Sequence, residues 1–159
     1  MGPETPLRIA GPADVGAVTG LIAGFRDFLG SDGPTNAEIE ATVSLLIKDR
    51  ATEYLLIGEP AVGFAQLRFR LSVWTGAEDA WVEDVFVDES ARGRGHGRAL
   101  VEAAIARARS RGCARIQLDA NRENAAAIGL YESLGFAASH NPAKWGDAPD
   151  LFFTLDLDG

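Results

Sequence analysis

The sequence predicts an α/β fold with a mixed sheet, in which antiparallel strands give way to one parallel β-α-β crossover. Two observations carry this. The apolar runs TEYLLIGE (52–59) and PAVGFAQLRFRLSV (60–73) meet at the short turn GEPA, the pattern of an antiparallel hairpin. Further on, an apolar run over 80–87 leads through RGRGHGR (92–98) into the helix-like ALVEAAIARAR, and then into a further apolar run, ARIQLDA (114–120). Strand, helix, strand in that order is a crossover, and crossovers are right-handed.

Taken in order, LRIA (7–10) is a short first strand, followed by GPAD, a turn that can start a helix. Residues 12–29 place Val15, Val18, Leu21, Ile22, Phe25 and Leu29 at helical spacing. GSDGPT (30–35) breaks that helix, and Asn36 can cap a second one with Ile39, Val43, Leu46 and Ile47 as its apolar face. The hairpin 52–73 follows, then the turn TGAED (75–79), a strand over 80–87 and a helix over 97–111. ARIQLDA reads as a buried strand, Asn124 to Leu134 as a helix, and DLFFTLDL (150–157) as the last strand. The order is β-α-α-β-β-β-α-β-α-β, with no repeat and no linker. The expectation is one domain over residues 1–159, a length sufficient to bury a core.

Composition narrows the function. The single cysteine, Cys113, excludes a disulfide framework and reads as a small buried residue. With only His96 and His140 beside it, no metal site is expected. No run approaches the apolar length of a membrane span, and the N-terminus lacks the basic and apolar regions of a secretory signal, so a cytoplasmic location is the default. The net charge of −8 disfavours nucleic acid and favours a cationic partner. Against that acidic background, residues 92–111 carry six arginines and one acid, Glu102. Arg107, Arg109 and Arg111 fit a solvated helix face. Arg92, Arg94 and Arg98 sit among Gly93, Gly95 and Gly97, at the start of a helix. Amides at a helix start are unpaired and lie at the positive end of its dipole. Glycines let an anion approach them, and arginines add charged donors. The stretch is therefore a candidate diphosphate cradle. It is neither a P-loop nor the G-x-G-x-x-G of dinucleotide folds.

The stretch 83–136 as a whole resembles the GCN5-related N-acetyltransferase (GNAT) superfamily. RGRGHG matches its R/Q-x-x-G-x-G/A motif at Arg92, Gly95 and Gly97, and NAAAIGLYESLGF matches its N-x-x-A-x-x-x-Y-x-x-x-G-F pattern at Asn124, Ala127, Tyr131, Gly135 and Phe136. The resemblance implies acetyl-CoA as co-substrate. It places Val85, Phe86 and Val87 on a splayed strand along the pantetheine arm. The amides of Gly93, Arg94, Gly95, His96, Gly97 and Arg98 would lie on the pyrophosphate, with Asn124 and Tyr131 near the arm and the sulfur.

Acetyl transfer to an amine needs a base, because a primary amine is protonated at neutral pH, and an acid for the departing thiolate. Tyr131 is the candidate acid. Glu83 and Asp84 interrupt an apolar strand and point to opposite faces, so they divide the work. WVEDVFV, with WTG before it, resembles the diamine and thialysine N-acetyltransferase branch, which carries a matching E-D pair. Carried over, Glu83 is the base or water-positioner and Asp84 holds the cationic substrate; that branch's acidic and aromatic stretch is not evident in FRDFLGSDGP, where Asp27 and Asp32 are candidate substitutes. Trp74 and Trp81 are candidates to wall the substrate cleft, to pack in the core or to lie in a homodimer interface. The expected acceptor is a small cationic amine such as a polyamine, an amino acid or an aminoglycoside. The alternatives are a protein N-terminal or lysine acetyltransferase and a non-catalytic acyl-CoA-binding module.

Overall fold

A charge-assisted cap carries the chain from its first strand into its first helix. The structure, a computed structural model, describes residues 5–138 and 149–157. Strand β1 (Leu7–Ile9) holds Arg8, whose guanidinium makes two 2.7 Å hydrogen bonds to the Asp14 carboxylate. The same carboxylate accepts the Gly11 amide at 2.8 Å. A 3-10 turn, Pro12–Asp14, then runs directly into α1 (Val15–Phe28). Hydrogen bonds from Arg8, and secondarily the Gly11 amide, hold the Asp14 carboxyl down at about 2.

Helix α2 (Asn36–Leu46) is capped by Thr35, a correction to the expected Asn36. The Thr35 hydroxyl accepts the Glu38 amide at 3.2 Å and donates to the Glu38 carboxylate at 3.0 Å. The T-x-x-E spacing joins cap and third helical residue twice, which leaves Asn36 as the first helical residue. Of its expected apolar face, Ile39 and Val43 are buried.

Strands β2 (Thr52–Ile57) and β3 (Gly63–Leu71) form the expected antiparallel hairpin, in register from Ile57↔Gly63 to Thr52↔Arg68. β1 lies antiparallel on the other side of β2. Strand β4 (Glu78–Val87), α3 (His96–Ser110) and β5 (Arg115–Asn121) make the crossover. The parallel register pairs Asp79–Trp81 with Arg115–Gln117. After α4 (Ala125–Ser133) come β6 (Ala137–Ala138) and β7 (Asp150–Asp156), the latter antiparallel to β5. The sheet is mixed, in the order β1-β2-β3-β4-β5-β7-β6. The two-residue β6 is an addition to the expected order, too short to leave a pattern in the sequence.

Contacts divide the chain into two compact units, Met1–Arg68 with Glu83–Ala104, and Phe69–Val82 with Ile105–Gly159. In the first, Val18, Leu21, Ile39, Val43, Tyr54, Phe64 and Phe86 build the apolar cluster between α1, α2 and the sheet. In the second, charge sets the strand boundary. Glu78 and Asp79 were expected in a turn but begin β4, because Arg111 pairs with Glu78 and Arg115 with Asp79, each at 2.9 Å. Arg111 is thus no solvated helix residue: its guanidinium also lies 3.9 Å above the Phe69 ring. β5 is buried on one face only, since Ile116, Leu118 and Ala120 alternate with more exposed neighbours. Cys113 is buried, as expected. No helix among the described residues is long and apolar enough to cross a membrane.

Candidate active site

The glycine-rich stretch begins the crossover helix. Gly93 and Gly95 have φ of +78° and +82°, the left-handed region in which a side chain is strained. The Gly95 carbonyl accepts the Ala99 amide at 3.0 Å and so opens the α3 ladder. The first-turn amides that follow, those of His96 and Gly97 among them, have no acceptor within the helix. A Cβ placed on Gly93, Gly95 or Gly97 would meet nothing within 4 Å. Nothing in the protein itself therefore requires Gly97, whose φ is not positive. An anion seated on the first-turn amides would use that space. The residues fit the diphosphate of a coenzyme on this ground: open amides, a positive helix end and no side chain in the way.

Strand β4 leads into that loop. Val85 and Val87 are half-buried, and Phe86 is in the core, stacked on Phe25 with centroids 5.2 Å apart. The Phe86 side chain thus belongs to packing, and only its backbone remains for a ligand. Arg92 turns away from the loop. Its Nε donates to the Val87 carbonyl at 3.0 Å, and its guanidinium lies 4.3 Å from the centroid of Phe28 and 5.6 Å from that of Phe86. Arg94 is exposed, and Arg98 forms an ion pair with Glu102 at 3.6 Å. Around Arg92 opens a cavity of about 290 Å³, walled by Gly24, Asp27 and Phe28 of α1, by Phe86, and by Asp88 and Glu89.

Glu83 and Asp84 differ in surroundings as alternation requires: Glu83 is exposed, and Asp84 is half-buried on the strand face that also carries Phe86. A group missed in the sequence lies near them. Tyr54 of β2 is buried, and its phenol is pushed up to about 12, first by burial and then by the Asp84 charge, with a smaller push from Glu83 against the pull of Arg68. No sequence signal separates this tyrosine from an ordinary core aromatic. Phe28 was also missed. Its spacing from Phe25 puts both on one helix face, but it reads as helix end.

The remaining expected residues lie in the second unit. Tyr131 of α4 is 8% exposed, with Phe136 and Phe153 at 5.9 and 6.0 Å between centroids. Burial, reinforced by the Asp119 charge, raises its phenol above the ordinary value, so the hydroxyl keeps its proton. Asn124 caps α4, its side-chain oxygen accepting the Ala127 amide at 3.1 Å. Trp74 is 87% exposed on the turn between β3 and β4. Trp81 packs on Phe152 at 6.2 Å.

Comparison with known proteins agrees with this geometry. The model of the acetyltransferase (GNAT) family matches residues 23–136. Streptothricin acetyltransferase of Streptomyces lavendulae is 34% identical over 117 residues, 74% of this chain and 57% of that protein. The mycothiol acetyltransferase of Beutenbergia cavernae is 40% identical over 78 residues, 47% of this chain and 26% of that protein. The ribosomal protein bS18-alanine N-acetyltransferase of Escherichia coli K12 is 44% identical over 59 residues, 37% of this chain and 40% of that protein. The chain thus spans between about a quarter and just over half of these curated relatives. Among solved structures, the yncA protein of Salmonella typhimurium, solved with its cofactor acetyl-CoA, superimposes with a TM-score of 0.73 at 25% identity, covering 99% of this chain and 96% of that one. An acetyltransferase of Streptococcus pneumoniae from the GNAT family has the same fold, with a TM-score of 0.71 at 19% identity, covering 98% and 100% of the two chains. Fold, glycine loop and family match converge: the chain belongs to the acetyltransferase (GNAT) family.

Proposed function

We propose that this chain moves the acetyl group of acetyl-CoA to the primary amine of a small cationic acceptor. The observation that carries the reading is the α3 N-terminus, with its open amides, after a strand that carries Glu83 and Asp84 and reaches the cavity at Phe86. When bound, acetyl-CoA supplies an activated acetyl thioester. The first-turn amides of α3 hold its pyrophosphate, and the backbone of Val85, Phe86 and Val87 lines the pantetheine arm. Glu83, directly or through water, accepts the proton the amine must lose before its nitrogen can attack. Tyr131, kept protonated by burial, returns a proton to the departing sulfur. Asp84 faces the acceptor's positive charge.

Among the curated relatives cited, extent of similarity supports the small-molecule reading. The streptothricin enzyme matches 74% of the chain, whereas the match to the enzyme acting on ribosomal protein bS18 covers 37%. The acidic net charge of −8 supports a cationic acceptor. The test is a comparison of kcat/KM for small diamines and aminoglycosides with that for a peptide beginning in alanine. Preference for the small amines supports the reading, and preference for the peptide replaces it with protein N-terminal acetylation. A homodimer built on the exposed Trp74 belongs to the same proposal, and light scattering at high concentration tests it.

A further inference from the structure

Among the loop arginines, Arg92 has its side chain turned to the end of β4 and the end of α1. Its Nε–H is spent on the Val87 carbonyl at 3.0 Å, and its guanidinium carbon lies over the Phe28 ring, 4.3 Å from the centroid. Phe28 is the last residue of α1 and is 59% exposed, with Arg92 and Phe86 against its ring. Phe28 and Phe86 are 6.2 Å apart between centroids, with Arg92 against both. The three side chains form one wall of the cavity, which also presents Asp27, Asp88 and Glu89. Gly24 lies against this wall: a Cβ there would be in ordinary van der Waals contact with the Phe86 ring, at 3.6 Å.

We propose that Arg92 is a positioning residue for the acceptor rather than a ligand of the coenzyme's pyrophosphate: bonded to Val87, over Phe28 and beside Phe86, it pins the end of α1 to the end of β4 and so shapes a cavity whose carboxylates, Asp27, Asp88 and Glu89, receive the cationic amine. This rests on the acetyl-transfer reading above. Two features of the guanidinium matter. It offers an Nε–H directed along the chain to a backbone carbonyl, and a flat face that stacks on an aromatic ring. A lysine has no flat face, and its single ammonium cannot serve the carbonyl and the ring together, but it keeps the charge that a phosphate needs. Arg92→Lys therefore separates the two roles.

The experiment measures the acetyl-CoA dissociation constant by calorimetry, and kcat and both KM values by thiol release, for wild type, Arg92→Lys, Arg92→Gln, Phe28→Leu and the double variant Arg92→Gln/Phe28→Leu. The expected result is an amine KM raised about tenfold in each single variant, with kcat and the acetyl-CoA dissociation constant within about twofold of wild type, and a double variant no worse than the singles. Lysine failing as glutamine does is part of that expectation. Acetyl-CoA affinity lost in Arg92→Gln and restored in Arg92→Lys, with the amine KM unmoved, would overturn the proposal and make Arg92 a phosphate ligand. Additive effects of Arg92→Gln and Phe28→Leu would overturn the pin. A wild-type protein that acetylates no amine would instead overturn the function on which the proposal rests.

Discussion

Replacing Gly97 by alanine separates what the protein needs from what the coenzyme needs. Gly97 is the second residue of α3, its φ is not positive, and a Cβ there has open space within 4 Å. The folded protein therefore gains from the change. Glycine inside a helix costs about 0.5–1 kcal/mol relative to alanine, and the lower end applies to a first turn. At about 2–4 °C per kcal/mol for a chain of this size, Gly97→Ala should melt about 1–2 °C above wild type. The bound state reverses the sign. Cα–Cβ bonds in a helix tilt toward its N-terminus, so the new methyl enters the space above the first-turn amides where the pyrophosphate would sit. Acetyl-CoA affinity should fall at least about tenfold, about 1.4 kcal/mol. The neighbouring Gly95→Ala behaves differently. At φ +82° a side chain costs about 1–2 kcal/mol, so this variant should melt below wild type even without coenzyme. Differential scanning calorimetry with and without acetyl-CoA reads both effects. A Gly97→Ala protein that is stabilised and binds acetyl-CoA as wild type does would refute the cradle.

Three further outcomes are expected. Tyr131→Phe should lower kcat roughly 10²-fold with little change in the KM for acetyl-CoA, as removal of a general acid does. Because burial raises that phenol, no descending limb of the kcat–pH profile from Tyr131 should appear below about pH 10. Glu83→Gln should depress kcat and kcat/KM together, most at low pH where free amine is scarce, whereas Asp84→Asn should mainly raise the amine KM, less so in high salt. Identical defects in steady-state kinetics would mark a structural pair. Arg8→Ala should lower the melting temperature at neutral pH. Asp14 is depressed to about 2, so the stability it lends is present above the unfolded carboxyl value near 4 and disappears as pH falls through about 2. The deficit of the variant, followed in thermal melts, should close over that window, and a deficit constant down to pH 2 would contradict the pairing.

Much of the fold could be read from local pattern. The GEPA turn joins β2 to β3 as expected, and the α3 crossover joins parallel strands, because hydrophobic period and turn chemistry act over a few residues. Local competition decided the cap of α2, where Thr35 and Glu38 prevail over Asn36 through two mutual hydrogen bonds. The start of β4 depended on distant partners: Glu78 and Asp79 become strand residues only because Arg111 and Arg115 reach them from the other arm of the crossover. The site divides in the same way. The glycine loop is contiguous and could be found from its spacing. The orientation of Arg92 could not, since it is decided by Phe28, which lies far away in the sequence. Tyr54 was hidden for a related reason, as only the fold brings it near Asp84.

The most direct test of the account is thiol release from acetyl-CoA across a panel of diamines, amino acids, aminoglycosides and peptides, with the acetylated product confirmed by mass spectrometry. The account predicts amine-dependent release with at least one small cationic amine, matched mole for mole by N-acetylated product and suppressed in Tyr131→Phe. Acetyl-CoA binding with no amine-dependent release from any member of the panel would contradict it and leave an acyl-CoA-binding module in its place.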